Sequence, residues 1–132
     1  MASILVVDDE RVIREGCKRI LSADGHRVIT AENGQEALDV LASERVDVIL
    51  CDLKMPVMGA VEFLERVQEG DIPIIVITGQ GTIRNAVECM RSGAYDFIAK
   101  PFRADVLVTV VRHAVEGLPP PSRLESLGDL DV

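Results

Sequence analysis

The sequence predicts an α/β protein with a single doubly wound, mostly parallel five-stranded sheet covered by five helices. Three observations carry this. Short apolar, β-branched runs alternate five times with segments whose apolar residues recur every three or four positions. Those runs are apolar almost throughout, as strands buried on both faces are. Nearly half of the 132 residues are hydrophobic, yet there is no Trp, one Tyr and three Phe, so the core must be Val, Ile, Leu and Ala. That length suits one domain, which buries roughly two thirds of the surface its unfolded chain exposes.

The elements follow in order. Ser3–Val7 (SILVV) is a first buried strand, ended by Asp8, Asp9 and Glu10. Val12, Ile13, Gly16, Cys17, Ile20 and Leu21 mark a helix that Gly25 stops. Arg27–Ala31 is a weaker strand, nearer an edge. Asn33-Gly34 signals a turn, and Gly34–Ser43 reads as a helix with Ala37, Leu38 and Leu41 inward. The third strand lies in the run VDVILCDLKMPVM (residues 46–58) and ends at Asp52. A third helix spans 60–68, with Phe63, Leu64 and Val67 on one face. Residues 73–77 (PIIVI) form the fourth strand, ended by Thr78. The fourth helix runs to about Arg91, with Ile83, Ala86, Val87 and Met90 inward. Residues 95–99 form the fifth strand, ended by Lys100-Pro101. The last helix covers about 103–116, with Val106, Leu107, Val110, Val111, Ala114 and Val115 as its apolar stripe. Strands and helices in alternation require right-handed crossovers. No internal repeat is visible. After Gly117 the composition changes to LPPPSRLESLGDLDV, where three prolines cannot continue a helix. Residues 118–132 read as a linker or tail after a domain spanning 1–117.

Composition excludes several classes. A net charge of −8 disfavours direct contact with nucleic acid or anionic lipid. No apolar run is long enough to span a bilayer, and MASILVV does not read as a signal peptide. Cys17, Cys51 and Cys89 are widely spaced and odd in number, against a disulfide framework or a zinc site. A reducing cytoplasm is the expected setting. His26 and His113 read as isolated surface or helix-end residues. Gly79 and Gly81 belong to no GxxxxGK[ST] run, so this is not a P-loop.

The chemistry gathers at one edge. In an open parallel sheet, ligands bind outside the carboxyl ends of the strands. Those ends carry Asp8 and Asp9, Asp52, Thr78 and Lys100. Taken singly, each has a plain structural reading: Asp8, Asp9 and Thr78 as helix caps, Asp52 as a turn residue, Lys100 as a surface lysine. Together, three carboxylates converge, and one pair at 4 Å repels by about 4 kcal/mol at an effective dielectric near 20. A hard cation among these oxygens relieves that cost. Mg²⁺ suits the donor set, with Mn²⁺ as an alternative. A cation, a lysine, a hydroxyl and a nucleophilic carboxylate are equipped for phosphoryl transfer.

Four segments then resemble one family: Val6-Val7-Asp8-Asp9-Glu10, Asp52-Leu53-Lys54-Met55-Pro56, Ile77-Thr78-Gly79 and Lys100-Pro101-Phe102. In this order and spacing they look like the receiver domain of two-component response regulators, over about residues 3–117. The stretch TGQGTIRNAVECMRSGAYDFIAKPF is most similar to nitrogen-regulation-type receivers, which often precede a transcription-activating ATPase. The resemblance implies a flavodoxin-like fold with strand order 2-1-3-4-5. It implies that Asp52 accepts a phosphoryl group from a sensor histidine kinase or phosphotransfer protein. Asp9, Asp52 and the Lys54 backbone carbonyl would hold Mg²⁺, with Asp8 acting through water. Lys100 would pair with the phosphoryl oxygens, Thr78 would swing to bond the phosphoryl group with Phe97 turning inward as its partner in the switch, and the Lys100-Pro101 bond would be cis. The signalling surface would be the fourth helix, fifth strand and fifth helix, including Arg84, Glu88, Tyr95, Asp96 and Arg112. That surface would control an output domain or partner protein in transcription regulation, or form a homodimer.

One departure stands out. Where members commonly carry Asp-Gly, this chain has Gly59-Ala60, which puts the loop after Asp52 in question. Two other readings compete. A haloacid-dehalogenase-type phosphatase needs two aspartates two residues apart after the first strand, whereas Asp8 and Asp9 are adjacent. A phosphate-independent interaction module would have no need of Asp52 or Lys100, and both are present.

Overall fold

The computed structural model describes residues 2–53, 71–79, 87–88 and 90–121. They form β1 (Ser3–Val7), α1 (Arg11–Ala23), β2 (Arg27–Ala31), α2 (Gly34–Ser43), β3 (Val48–Asp52), β4 (Ile74–Gly79), β5 (Asp96–Lys100) and α3 (Ala104–Glu116). Here α3 is the fifth helix expected from sequence. The expected third helix, and residues 80–86 of the fourth, lie outside the described residues. Val87, Glu88, Met90 and Arg91 are helical.

The strands form one sheet, ordered β2-β1-β3-β4-β5, with every pair parallel. Successive side chains on a strand point to opposite faces, and here both faces are dry. Leu5, Val7, Ile49, Cys51, Ile74 and Val76 point to one side, where Ala37 of α2 packs. Ile4, Val6, Val48, Leu50, Ile75, Ile77 and Ile98 point to the other, against Cys17 and Leu21 of α1 and Leu107, Val110, Val111 and Ala114 of α3. This double burial is why the strand sequences are apolar runs.

Local chemistry sets the ends of the helices. Asn33 Oδ1 accepts the Glu36 N–H at 2.9 Å, and the Glu36 carboxylate accepts the Glu32 N–H at 3.2 Å; both bonds satisfy donors at the start of α2. Gly117, at φ +71°, ends α3 in the left-handed region that favours glycine.

Several expectations need correcting. Val12 is 80% exposed. It shares a helical row with Gly16 and Arg19, one step round from the row of Ile13, Cys17 and Leu21 that meets the sheet. Val87 and Val115 are likewise exposed; Met90 and Ala114 make the core contacts instead. His26 is a helix-end residue, its N–H bonded to the Leu21 carbonyl at 3.1 Å just past α1, but it is not isolated. Its side chain is 10% exposed, with Nε2 3.3 Å from Asp24, and its Nδ1 accepts the Ala2 N–H at 3.4 Å. Arg112 turns toward α1 and pairs with the Asp24 carboxylate through Nε at 3.0 Å and through Nη2. The start of the proline-rich segment is tied down as well. The Tyr95 hydroxyl donates to the Leu118 carbonyl, the Leu118 N–H to the His113 carbonyl at 2.9 Å, and His113 Nδ1 lies 3.1 Å from the Pro119 carbonyl oxygen.

Candidate functional site

β1, β3 and β5 end in Val7-Asp8, Asp52 and Lys100. The alternation that sends Ile4 and Val6, Val48 and Leu50, and Ile98 toward α1 and α3 continues to Asp8, Asp52 and Lys100. All three therefore emerge on the same side of the sheet. Asp8 is 0% exposed and Asp52 is also buried.

Lys100 draws the group together. Its Nζ lies 2.9 Å from Asp8 Oδ2, 3.3 Å from Glu10 Oε1 and 3.5 Å from Asp52 Oδ1, and its side chain is 13% exposed. To reach Asp52 from β5, the lysine must cross the end of β4, which lies between β5 and β3. There its register partner is Gly79, and a Cβ on Gly79 would lie 3.8 Å from Lys100 Cδ. The lysine stem therefore passes the Gly79 position at ordinary van der Waals distance from where a Cβ would stand. The Lys100-Pro101 peptide bond is cis.

The backbone around Asp8 is firmly held. Its N–H bonds the Ala31 carbonyl at 3.1 Å, its carbonyl accepts from Arg14 Nη1 at 2.9 Å, and Oδ1 accepts the Glu10 N–H at 2.8 Å. Burial raises the Asp8 carboxyl above its usual range, against the lowering effects of the Glu10 N–H and Lys100. Burial by itself lowers the Lys100 ammonium, but the hydrogen bond and charge of Asp8, then Asp52 and Glu10, outweigh it and hold it raised. The raised acid thus reports burial, and the raised ammonium reports the carboxylates around it.

The donor set fits a hard divalent cation. One carboxylate oxygen from each of Asp8, Asp9 and Glu10 lies within 4.8 Å of the others. Asp52 joins this group through Lys100. Thr78 is buried at the end of β4, in register with Ala99. By alternation it faces the α2 side with Val76, where Phe97 also packs. The structure thus brings Asp8, Asp52 and Lys100 together and sets Thr78 and Phe97 on the opposite side of the sheet. Lys54, Arg84 and the Gly59-Ala60 loop lie outside the described residues. Glu10 and Arg14 had been given no role from sequence. The acidic run Asp8-Asp9-Glu10 carries the signal for Glu10, whereas the partners of Arg14, the Asp8 carbonyl and the Glu32 carboxylate, follow from the packing of α1.

The family model described as the response regulator receiver domain matches residues 4–112. The chain belongs to this family. Response regulator MprA of Mycobacterium bovis (strain BCG / Pasteur 1173P2) is 36% identical over 126 residues, covering 94% of this chain and 55% of that protein. The chain thus spans about half the length of the curated relatives it matches. Among solved structures, the receiver domain of NtrX from Brucella abortus superposes with a TM-score of 0.82 at 37% identity, covering 86% of this chain and 98% of that one. A response regulator receiver domain protein from Clostridium thermocellum superposes at 0.83 with 31% identity, covering 89% and 96%. The NtrX receiver accords with the resemblance to nitrogen-regulation-type receivers. The chain is therefore a two-component receiver domain of flavodoxin-like fold.

Proposed function

We propose that Asp52 is the phosphoacceptor, and that the observation carrying this reading is the placement of Lys100 between Asp8 and Asp52 at a buried strand end. An Asp52 oxygen attacks the phosphorus of a phosphohistidine on a sensor kinase or phosphotransfer protein. The P–N bond breaks, its electron pair stays with the imidazole, and an acyl phosphate forms. Lys100 is already within reach of the acceptor and pairs with the incoming phosphoryl oxygens, a preorganised charge of the kind such transfers need. Asp9, Asp52 and the Lys54 backbone carbonyl would hold Mg²⁺ or Mn²⁺, with Asp8 acting through water. When bound, the cation neutralises charge on the phosphoryl group. The protein catalyses only its own phosphorylation and dephosphorylation.

The modification adds roughly −1.5 to −2 charges at the sheet edge. Thr78 and Phe97 respond as switch residues, biasing an equilibrium between two arrangements of the fourth helix, β5 and α3. That surface then controls an output domain or partner, in transcription regulation, or forms a homodimer. In this reading the receiver is residues 1–117, the linker or tail is 118–132, and the setting is the cytoplasm. Among the described residues no helix is long and apolar enough to cross a membrane.

Intact-mass spectrometry after incubation with acetyl phosphate and Mg²⁺ tests this. One phosphoryl adduct is expected, lost with EDTA and in Asp52→Asn. An adduct that persists in Asp52→Asn overturns the assignment.

A further inference from the structure

We propose that Glu10 is a positioning residue: it holds Lys100 in the unphosphorylated site and restricts entry of an anionic phosphodonor. This inference rests on the phosphoacceptor reading of Asp52. Glu10 occupies the N-cap position of α1, yet its side chain makes no capping bond. It reaches instead to an ammonium ninety residues further along the chain, 3.3 Å away.

An ammonium has three N–H donors, and Lys100 faces three carboxylates: Asp8, Glu10 and Asp52. A phosphoryl group that takes one of these donors must displace one acid. Asp8 and Asp52 are buried and costly to strip of a partner. The Glu10 side chain is 61% exposed, and water replaces its partner at little cost. Glu10 is therefore the anion that gives way. Until it does, it adds a negative charge to a mouth where three other carboxylates, Asp8, Asp9 and Asp52, already outnumber one ammonium, and a dianionic donor is repelled.

The chemistry of the assay balances simply. An Asp52 oxygen bonds the phosphorus of acetyl phosphate, the P–O bond to the acyl group breaks, and its electron pair leaves as acetate without proton transfer. Phosphorylation rates are measured against acetyl phosphate concentration for wild type, Glu10→Gln and Glu10→Ala. Both variants are expected to lower the apparent KM for the donor by about three- to tenfold, with a smaller change in the maximal rate. The gap is expected to close at about 0.5 M salt, where screening acts within a few ångströms. Calorimetry with Mg²⁺ alone should show affinity falling by no more than the same three- to tenfold and recovering at about 0.5 M salt, because the dication loses the same through-space charge; loss of a direct metal ligand would persist in salt. An unchanged KM, a gap that survives high salt, or a loss of Mg²⁺ affinity that survives high salt would each overturn the proposal. Failure of wild type to accept phosphate overturns the reading beneath it and is seen separately.

Discussion

The Tyr95 hydroxyl donates to the Leu118 carbonyl across 2.6 Å. It joins the approach to β5 with the chain leaving α3, and Leu118 is further held by its own N–H to the His113 carbonyl. Tyr95→Phe removes one hydrogen bond and leaves the ring. Stability is expected to fall by about 0.5–1 kcal/mol. Hydrogen exchange at the Leu118 amide should speed up more than exchange in β5, which the sheet protects. Equal protection of Leu118 in both proteins would show that the hydroxyl does not hold this segment.

Asp8 carries negative charge in a place that disfavours it. Burial raises its carboxyl. A raised acid favours the folded state at low pH and works against it once the pH climbs through the raised value. Asp8→Asn is therefore expected to stabilise the metal-free protein by about 1–2 kcal/mol at pH 7.5, a gain typical of relieving strain built into a site. Stabilisation by Mg²⁺, about 2.7 kcal/mol at a hundredfold excess over Kd, should shrink in the same variant. Thermal melts with and without Mg²⁺ give both quantities.

Asp24 behaves in the opposite sense. The hydrogen bond from Arg112 is the main reason its carboxyl sits below the usual 3.8, with the charges of Arg112 and His26 acting the same way against a burial effect. Its contribution is complete above 3.8 and fades as pH falls through the lowered value. Arg112→Gln is expected to lower Tm at neutral pH by no more than a few degrees, because the Arg112 side chain is 59% exposed. It should also flatten the acid limb of the stability curve. Melts from pH 7 to pH 2.5 will show whether the two curves converge in acid.

Cys17 is enclosed between α1 and the sheet. Burial first, then the Asp8 charge, push its thiol up to about 12. Thiolate is the reactive form, so iodoacetamide at pH 8 is expected to leave Cys17 unmodified in the folded protein and to alkylate it in urea. Peptide mapping distinguishes the two; native labelling of Cys17 would mean that α1 opens readily.

The sequence made the sheet legible because each strand is a dry apolar run that stops at a polar residue. In a parallel sheet those stops must share an edge, which placed Asp8, Asp52 and Lys100 together before any contact was known. Side-chain direction was harder to read. Thr78 ends β4 just as Asp52 ends β3, but it stands one step out of phase with Ile75 and Ile77 and faces the other way. Apolar periodicity overreached at Val12, since a row of a helix can look hydrophobic without meeting anything. The surroundings of His26 and Glu10 are harder to read for one reason: the Ala2 N–H that meets His26 and the Lys100 ammonium that meets Glu10 are brought in by the sheet, from 24 and 90 residues away, which no local pattern encodes.

The lysine that completes the site belongs to the last strand. Asp8, Glu10 and Asp52 are all synthesised by the time β3 has left the ribosome, but the ammonium that neutralises them arrives with β5, after both intervening crossovers. An emerging chain must carry its acids without their counter-charge until the fifth strand docks. The charge balance around Asp52 is thus a property of the finished sheet alone, and a chain truncated before Lys100 would keep its acids but lose the ammonium that gathers them.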